Sequence, residues 1–125
     1  MIFGIGTDLV DLNRIKAMKS QDDFAAKILG ALEMEQYKKL NEDVKILYLG
    51  KQFAAKESLV KALGTGFRDP IFPKDIQVLR NAIGKPEVIF SDAAQSYVQD
   101  LGITKSHVSL ADESNHLIAF AILEI

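Results

Sequence analysis

The stretch Val44–Leu63 limits what this chain can fold into more than any other part of it. Leu47, Phe53, Ala54, Leu59, Val60 and Leu63 recur at helical spacing and cover more than one side of the predicted helix. Gly64 follows as a stop signal. Gly50 falls inside the pattern at a cost of about 1 kcal/mol relative to Ala. A helix that is apolar on several sides has to be packed from several directions, so it belongs at the centre. A chain of 125 residues supports this as one compact domain with one core.

The remaining segments are shorter. Residues 2–10 read as a strand carrying Ile2, Ile5, Leu9 and Val10. Asp11 caps a short helix over Leu12–Met18. Asp22 and Asp23 open a second helical stretch through Phe24, Ile28, Leu29 and Leu32, with acidic residues where the helix dipole favours them. A third covers Glu33–Leu40. After the long helix come a strand at Ile76–Leu79, a hairpin connection at Asn81–Lys85 and a partner strand at Pro86–Phe90. Ser91 caps a helix through Leu101, and Gly102 ends it. Strands at Ser106–Leu110 and Leu117–Leu123 flank a polar turn over Ala111–Asn115. The order predicts an α+β fold, with antiparallel strands packed on a long central helix, and not alternating βαβ units.

Composition removes several functional classes. Hydrophobic residues make up 48% and charged residues 26%, which describes a folding chain and not a disordered one. A net charge of -2 supplies no bulk positive field for nucleic acid. With no cysteine, disulfides, thiolate zinc sites and cysteine nucleophiles are excluded, and His107 and His116 alone cannot build a three-histidine metal site. No apolar run approaches the roughly 18 residues of a membrane span. Met1-Ile2-Phe3-Gly4 lacks the charged and long apolar regions of a signal peptide, so the expected location is the cytoplasm.

Two places carry candidate chemistry. Asp8, in Gly4-Ile5-Gly6-Thr7-Asp8, is an acidic side chain in or at the end of a buried strand, where it needs a cation, a partner or water. Glu57 and Lys61 are four residues apart on one helix face. Taken alone they read as a surface ion pair, but the dense apolar residues around them point to a covered helix. Two carboxylates from distant segments suit Mg²⁺, which takes one or two protein carboxylates plus phosphate oxygens and water. A nearby lysine can bind phosphate or donate a proton. Gly64-Thr65-Gly66 forms a glycine-bearing loop whose backbone N–H groups could approach phosphate. Together these residues describe a phosphate-transfer site without a P-loop motif. His107 fits equally a base, a phosphate contact or a polar strand residue.

At these residues the chain resembles the holo-[acyl-carrier-protein] synthase family, the small bacterial-type 4'-phosphopantetheinyl transferases. Gly6-Thr7-Asp8-Leu9-Val10 and the block Phe53–Gly66 look like its two signatures, the second highly specific. Leu32-Glu33-Met34-Glu35, Gly84-Lys85-Pro86 and His107-Val108-Ser109-Leu110 are also similar, in order and at compatible spacing. The resemblance implies transfer of 4'-phosphopantetheine from coenzyme A to a serine of apo-acyl carrier protein, releasing 3',5'-ADP. It implies that Asp8 and Glu57 hold Mg²⁺, with Asp8, Glu57 and Lys61 catalytic. Coenzyme A contacts would come from Lys61, Gly64, Thr65, Gly66, Lys45, Pro86 and His107, and carrier contacts from Arg14, Met18 and Lys19. It further implies a homotrimer with sites between subunits. The apolar alternation of Leu117–Leu123 on both faces agrees that the strand needs covering on both sides.

The sequence departs from the family in three places, the first being an opening helix with only Arg14, Lys16 and Lys19, followed by Asp22 and Asp23, where the family is often arginine-rich. Gln52 stands where the family usually has an arginine, and a neutral amide cannot replace a guanidinium on the 3'-phosphate of coenzyme A, leaving Lys51 or Lys45 to compensate. Ala111-Asp112 stands where Ser-His is common. Gln52 and Ala111-Asp112 motivate an alternative, a non-catalytic module that binds coenzyme A or the carrier protein.

Overall fold

The computed structural model describes residues 1–125. Its elements are β1 (Ile2–Asp11), α1 (Leu12–Lys16), α2 (Gln21–Ile28), α3 (Ala31–Lys39), α4 (Glu42–Leu63), β2 (Ile76–Arg80), β3 (Pro86–Phe90), α5 (Asp92–Asp100), β4 (Lys105–Glu113) and β5 (His116–Glu124). A three-stranded sheet has the order β1-β5-β4, and β2 pairs with β3 in a separate hairpin; every pairing is antiparallel. The two chain ends are therefore neighbours, with Ile2 opposite Glu124.

The predicted α+β order holds, with corrections at the boundaries. The polar turn expected over Ala111–Asn115 shrinks to Ser114-Asn115, because cross-strand pairing continues to Glu113 and His116. Ser114 absorbs the reversal with a positive φ of 55°. The first helix stops at Lys16, short of Met18. The second is capped by the Ser20 hydroxyl and ends at Ile28, so Leu32 belongs to α3, which starts earlier than expected at Ala31. A single 3₁₀ turn at Pro73–Asp75 was not legible in the pattern.

Helix α4 occupies the middle, as its apolar surface requires. It packs on β1 and β5, and also meets α1, β2 and β4. The core expected as one unit is divided into two clusters along it. Ala55, Leu59, Val60, Ala62 and Leu63 join Ile76, Val78, Val98 and Leu123 in the first, while Leu49 and Ala54 join Leu12, Ile15, Ile28 and Leu117 in the second. Two glycines allow the closest approach in the fold. A Cβ on Gly4 would overlap the carbonyl oxygen of Ala62, and one on Gly6 that of Ser58. The backbone of β1 thus lies directly against the backbone of α4.

Between α3, α4 and β2 lies a polar network inside the core. Glu33 and Lys56 are both fully buried, and Gln52 is 1% exposed. The Lys56 ammonium donates to Glu33 Oε1 at 2.6 Å and to the Pro73 carbonyl at 2.9 Å, and also to the Ile76 carbonyl. Glu33 accepts further bonds from the N–H groups of Gly30 and Val78, at 3.0 and 3.1 Å, and from the Gln52 amide. Gln52 also donates to the Val78 carbonyl at 2.8 Å. No buried side-chain polar atom is left without a partner.

Candidate active site

The glycines of β1 decide where Asp8 goes. Because β1 rests on the last turns of α4, the side chains of Asp8 and Glu57 reach one cavity of about 340 Å³. Leu9, Phe24, Phe53, Arg14 and Met18 line its other walls. Phe24 and Phe53 meet edge to face at 5.5 Å between ring centroids, which makes the wall rigid and apolar. Arg14 and Met18 are held there because α1 is tied to the β4–β5 turn: the Leu12 N–H donates to the Asn115 carbonyl at 2.7 Å, and Lys16 Nζ to Asn115 Oδ1 at 3.1 Å.

Lys61 does not form the ion pair with Glu57 that the helical spacing suggested. Its ammonium turns to β1, 3.2 Å from Asp8 Oδ1 and 3.0 Å from the Thr7 carbonyl oxygen. Asp8 outcompetes Glu57 because β1 comes so close to α4. Burial pushes the Glu57 carboxyl above its ordinary range, the Asp8 charge pushes it further, and Lys61 opposes both. Two carboxylates on one cavity are the kind of donor set a divalent cation takes. No group of three or more His, Cys, Asp or Glu side chains converges anywhere in the chain. A pair of carboxylates is within what Mg²⁺ takes from protein, the rest of its octahedron being water and phosphate oxygens.

The loop after α4 requires a correction. Gly64 and Gly66 have φ of +81° and +66°, as a helix-ending turn demands. However, the N–H groups of Gly64, Thr65 and Gly66 all turn back to the Val60 carbonyl, at 3.1, 3.3 and 3.3 Å. They cap the helix and are not free to cradle phosphate, because a helix C-terminus presents carbonyl oxygens that must be satisfied first. The Thr65 hydroxyl donates to the Gly66 carbonyl at 2.9 Å.

The other site residues fall in separate places. Lys45 lies near the start of α4, bonded to Glu42 at 2.8 Å and stacked 4.9 Å from the Tyr37 ring centroid, three turns of helix before Glu57. Lys19 is exposed beyond the end of α1 and does not line the cavity. Pro86 and His107 share a second cleft of about 450 Å³ between the hairpin and β4, together with Lys85, Lys105 and Asn81. Within one chain the two sets are distinct: Asp8 and Glu57 line one cavity, with Lys61 bonded to Asp8, while Lys85, Lys105 and His107 line the other together with Glu87.

The departures from the family pattern at Gln52 and Ala111-Asp112 now have a location. Gln52 is a core residue bonded to Glu33 and Val78, not a surface position stripped of a phosphate contact. Asp112 stands 3.8 Å from Lys51, so the lysine nominated as a substitute is already engaged with an anion. Two features escaped the sequence reading. Lys56 drew no role from the sequence, although Phe53, Leu59 and Val60 one turn away along the helix were a signal of burial. Glu124 ended an apolar strand, and its bond to His107 at 2.7 Å depends on strand register.

Comparison with known proteins places this geometry. A family model described as the 4'-phosphopantetheinyl transferase superfamily matches residues 4–121. The holo-[acyl-carrier-protein] synthase of Nitrosospira multiformis is 43% identical over 126 residues, covering 99% of both chains. That of Hamiltonella defensa is 38% identical over 125 residues, covering 98% of both. Among solved structures, the holo-[acyl-carrier-protein] synthase of Neisseria meningitidis is similar with a TM-score of 0.94 at 36% identity over the whole of both chains. The Bacillus anthracis synthase in complex with CoA (3',5'-ADP) is similar with a TM-score of 0.83 at 32% identity, over 98% of this chain and 96% of that one.

Proposed function

We infer, from a chain that belongs to the 4'-phosphopantetheinyl transferase superfamily, that this protein moves 4'-phosphopantetheine from coenzyme A to a serine of apo-acyl carrier protein. It is an enzyme of the holo-[acyl-carrier-protein] synthase kind. The observation that carries the mechanism is the joint placement of Asp8 and Glu57 on one cavity, with Lys61 bonded to Asp8 at its edge.

Asp8 and Glu57 are the residues that would hold Mg²⁺. Such a cation would supply charge neutralisation for the pyrophosphate of coenzyme A. The serine oxygen attacks the phosphorus that carries pantetheine, and the bond from that phosphorus to the bridging oxygen breaks, leaving 3',5'-ADP. Glu57, on the wall of the cavity that the serine must enter, accepts the serine proton directly or through a water. Lys61, half-exposed and paired with Asp8 beside the cavity, supplies a proton or a compensating charge as charge develops on the leaving phosphate. Arg14 and Met18, on the wall of the same cavity, are placed to receive the carrier protein.

The second cleft, with Lys85, Lys105, Pro86 and His107, has the charge to receive the phosphates of coenzyme A. The proposed assembly is a homotrimer in which one subunit's cleft completes another's carboxylate cavity. The outer face of the three-stranded sheet supports it. Ile5, Leu9, Ile118 and Phe120 are 59%, 66%, 43% and 39% exposed on adjacent strands, an apolar patch of the kind that partners cover. No helix is long and apolar enough to cross a membrane. The proposed site of action is the cytoplasm, where coenzyme A and carrier proteins meet. Gln52 and Asp112, which motivated the non-catalytic alternative, do not line the carboxylate cavity.

The test is the mass of apo-acyl carrier protein after incubation with this protein, coenzyme A and a Mg²⁺ titration. A gain of one phosphopantetheine that depends on metal, and that disappears with Asp8→Ala, is expected. An unmodified carrier at every metal concentration would return the chain to the class of binding modules.

A further inference from the structure

The pairing of His107 with Glu124 deepens the reading above and rests on one part of it, the contact of His107 with a phosphate of coenzyme A. In the β4–β5 ladder His107 lies opposite Ile122, and Lys105 opposite Glu124. His107 and Glu124 are therefore diagonal neighbours on the outward face of the sheet. The imidazole Nε2 is 2.7 Å from Glu124 Oε2, although Lys105 is directly across from the same carboxylate and forms no ion pair with it. At side-chain exposures of 47% and 35% such a pair adds little to stability, so its consequence lies in what it does to the ring.

A neutral imidazole has one N–H, and an imidazolium has two. With Nε2 donating to Glu124, the ring can donate to a phosphate oxygen only from Nδ1, and only when it is doubly protonated. A carboxylate at hydrogen-bond distance favours that charged form. The reciprocal effect is present: the hydrogen bond from His107 holds the Glu124 carboxyl below its ordinary range. Lys105 on β4 and the Met1 ammonium beside β1 act on this carboxylate in the same direction. Across the cleft the hairpin presents Lys85 and Glu87.

We propose that Glu124 is a positioning residue for the transfer reaction: it accepts the Nε2–H of His107 and fixes the ring, so that Nδ1 is the nitrogen left for a coenzyme A phosphate. Glu124 itself touches no substrate. It acts at the binding of coenzyme A and not in the chemical step.

The experiment compares wild type, Glu124→Gln, His107→Ala and the double variant. The chain has only two histidines, so proton NMR reads His107 with His116 as internal reference. Glu124→Gln is expected to change the His107 titration, because the carboxylate hydrogen-bonded to the ring is gone. It should raise KM for coenzyme A about fivefold, with kcat little changed, and change the rise of KM with pH. In the His107→Ala background the same substitution should cost nothing further. An unchanged His107 titration in Glu124→Gln overturns the proposal, as do additive effects in the double variant, which would mean that Glu124 acts through assembly or another group. If His107→Ala leaves KM for coenzyme A at the wild-type value, the phosphate reading of His107 is itself refuted and the role of Glu124 falls with it. A His107 pKa that still responds to Glu124 marks that case as distinct.

Discussion

Glu57 is the residue at which stability and activity oppose each other. Its carboxyl is raised by burial first and by Asp8 second. A folded pKa above the unfolded one means that the ionised group costs stability once the pH exceeds the unfolded value, and that the full cost is present above the folded value. In metal-free protein at neutral pH, Glu57→Gln should therefore melt at a higher temperature than wild type. The gap should close as pH falls through the carboxyl's range, because protonated wild type and variant then match. The same variant should lose about 100-fold or more in carrier modification. A lower melting temperature for Glu57→Gln at pH 7 would show that the carboxylate is not strained by its surroundings. Lys61 is expected to behave differently. With its ammonium exposed beside Asp8, Lys61→Ala should lower kcat about 100-fold while calorimetric affinity for coenzyme A falls only a few-fold. An equal loss in both quantities would make it a binding residue.

Two contacts between elements place these side chains. The first is the backbone contact of β1 with α4 at Gly4 and Gly6. Gly6→Ala puts a methyl group into the Ser58 carbonyl, and neither backbone can move without shifting a strand or a helix. A loss of about 3 kcal/mol is expected from such overpacking, read as a lower urea midpoint at unchanged slope. Activity should fall as well, since Asp8 is two residues along the same strand. The second contact is the Glu33–Lys56–Gln52 network joining α3, α4 and β2. Lys56→Met leaves Glu33 buried with its charge uncompensated, at an expected cost of about 3–5 kcal/mol. A chemical denaturation curve like that of wild type would mean that Glu33 is protonated in the core.

At the scale of the whole molecule, the two clefts ask to be brought together and the outer sheet face offers the means. Phe120 sits at the centre of that face, opposite Thr7 on one side and Ser109 on the other. For the proposed trimer, light scattering is expected to give three times 13.8 kDa for wild type and 13.8 kDa for Phe120→Glu, with turnover lost in step. Full activity in a 13.8 kDa species would mean that each chain holds a complete site.

Periodicity along the chain was enough to place α4, β3 and α5 within a residue or two, because each has a regular apolar pattern bounded by a cap, a proline or a glycine. It also singled out Asp8, Glu57 and Lys61, since an acid in an apolar strand and a charged pair on a covered helix are anomalies visible without coordinates. What it could not decide was which side chains meet. Whether Lys61 pairs with Glu57 or Asp8 depends on how closely β1 approaches α4, a distance that the two glycines permit but local spacing does not encode. The burial of Lys56 and Gln52 depends on α3 and β2, twenty or so residues away on either side. The bond between His107 and Glu124 exists only in one register of β4 against β5. Local pattern therefore determined the elements and the chemistry they carry, while long-range packing decided the partners, because a side chain's charge is its own but its neighbours are set by the fold.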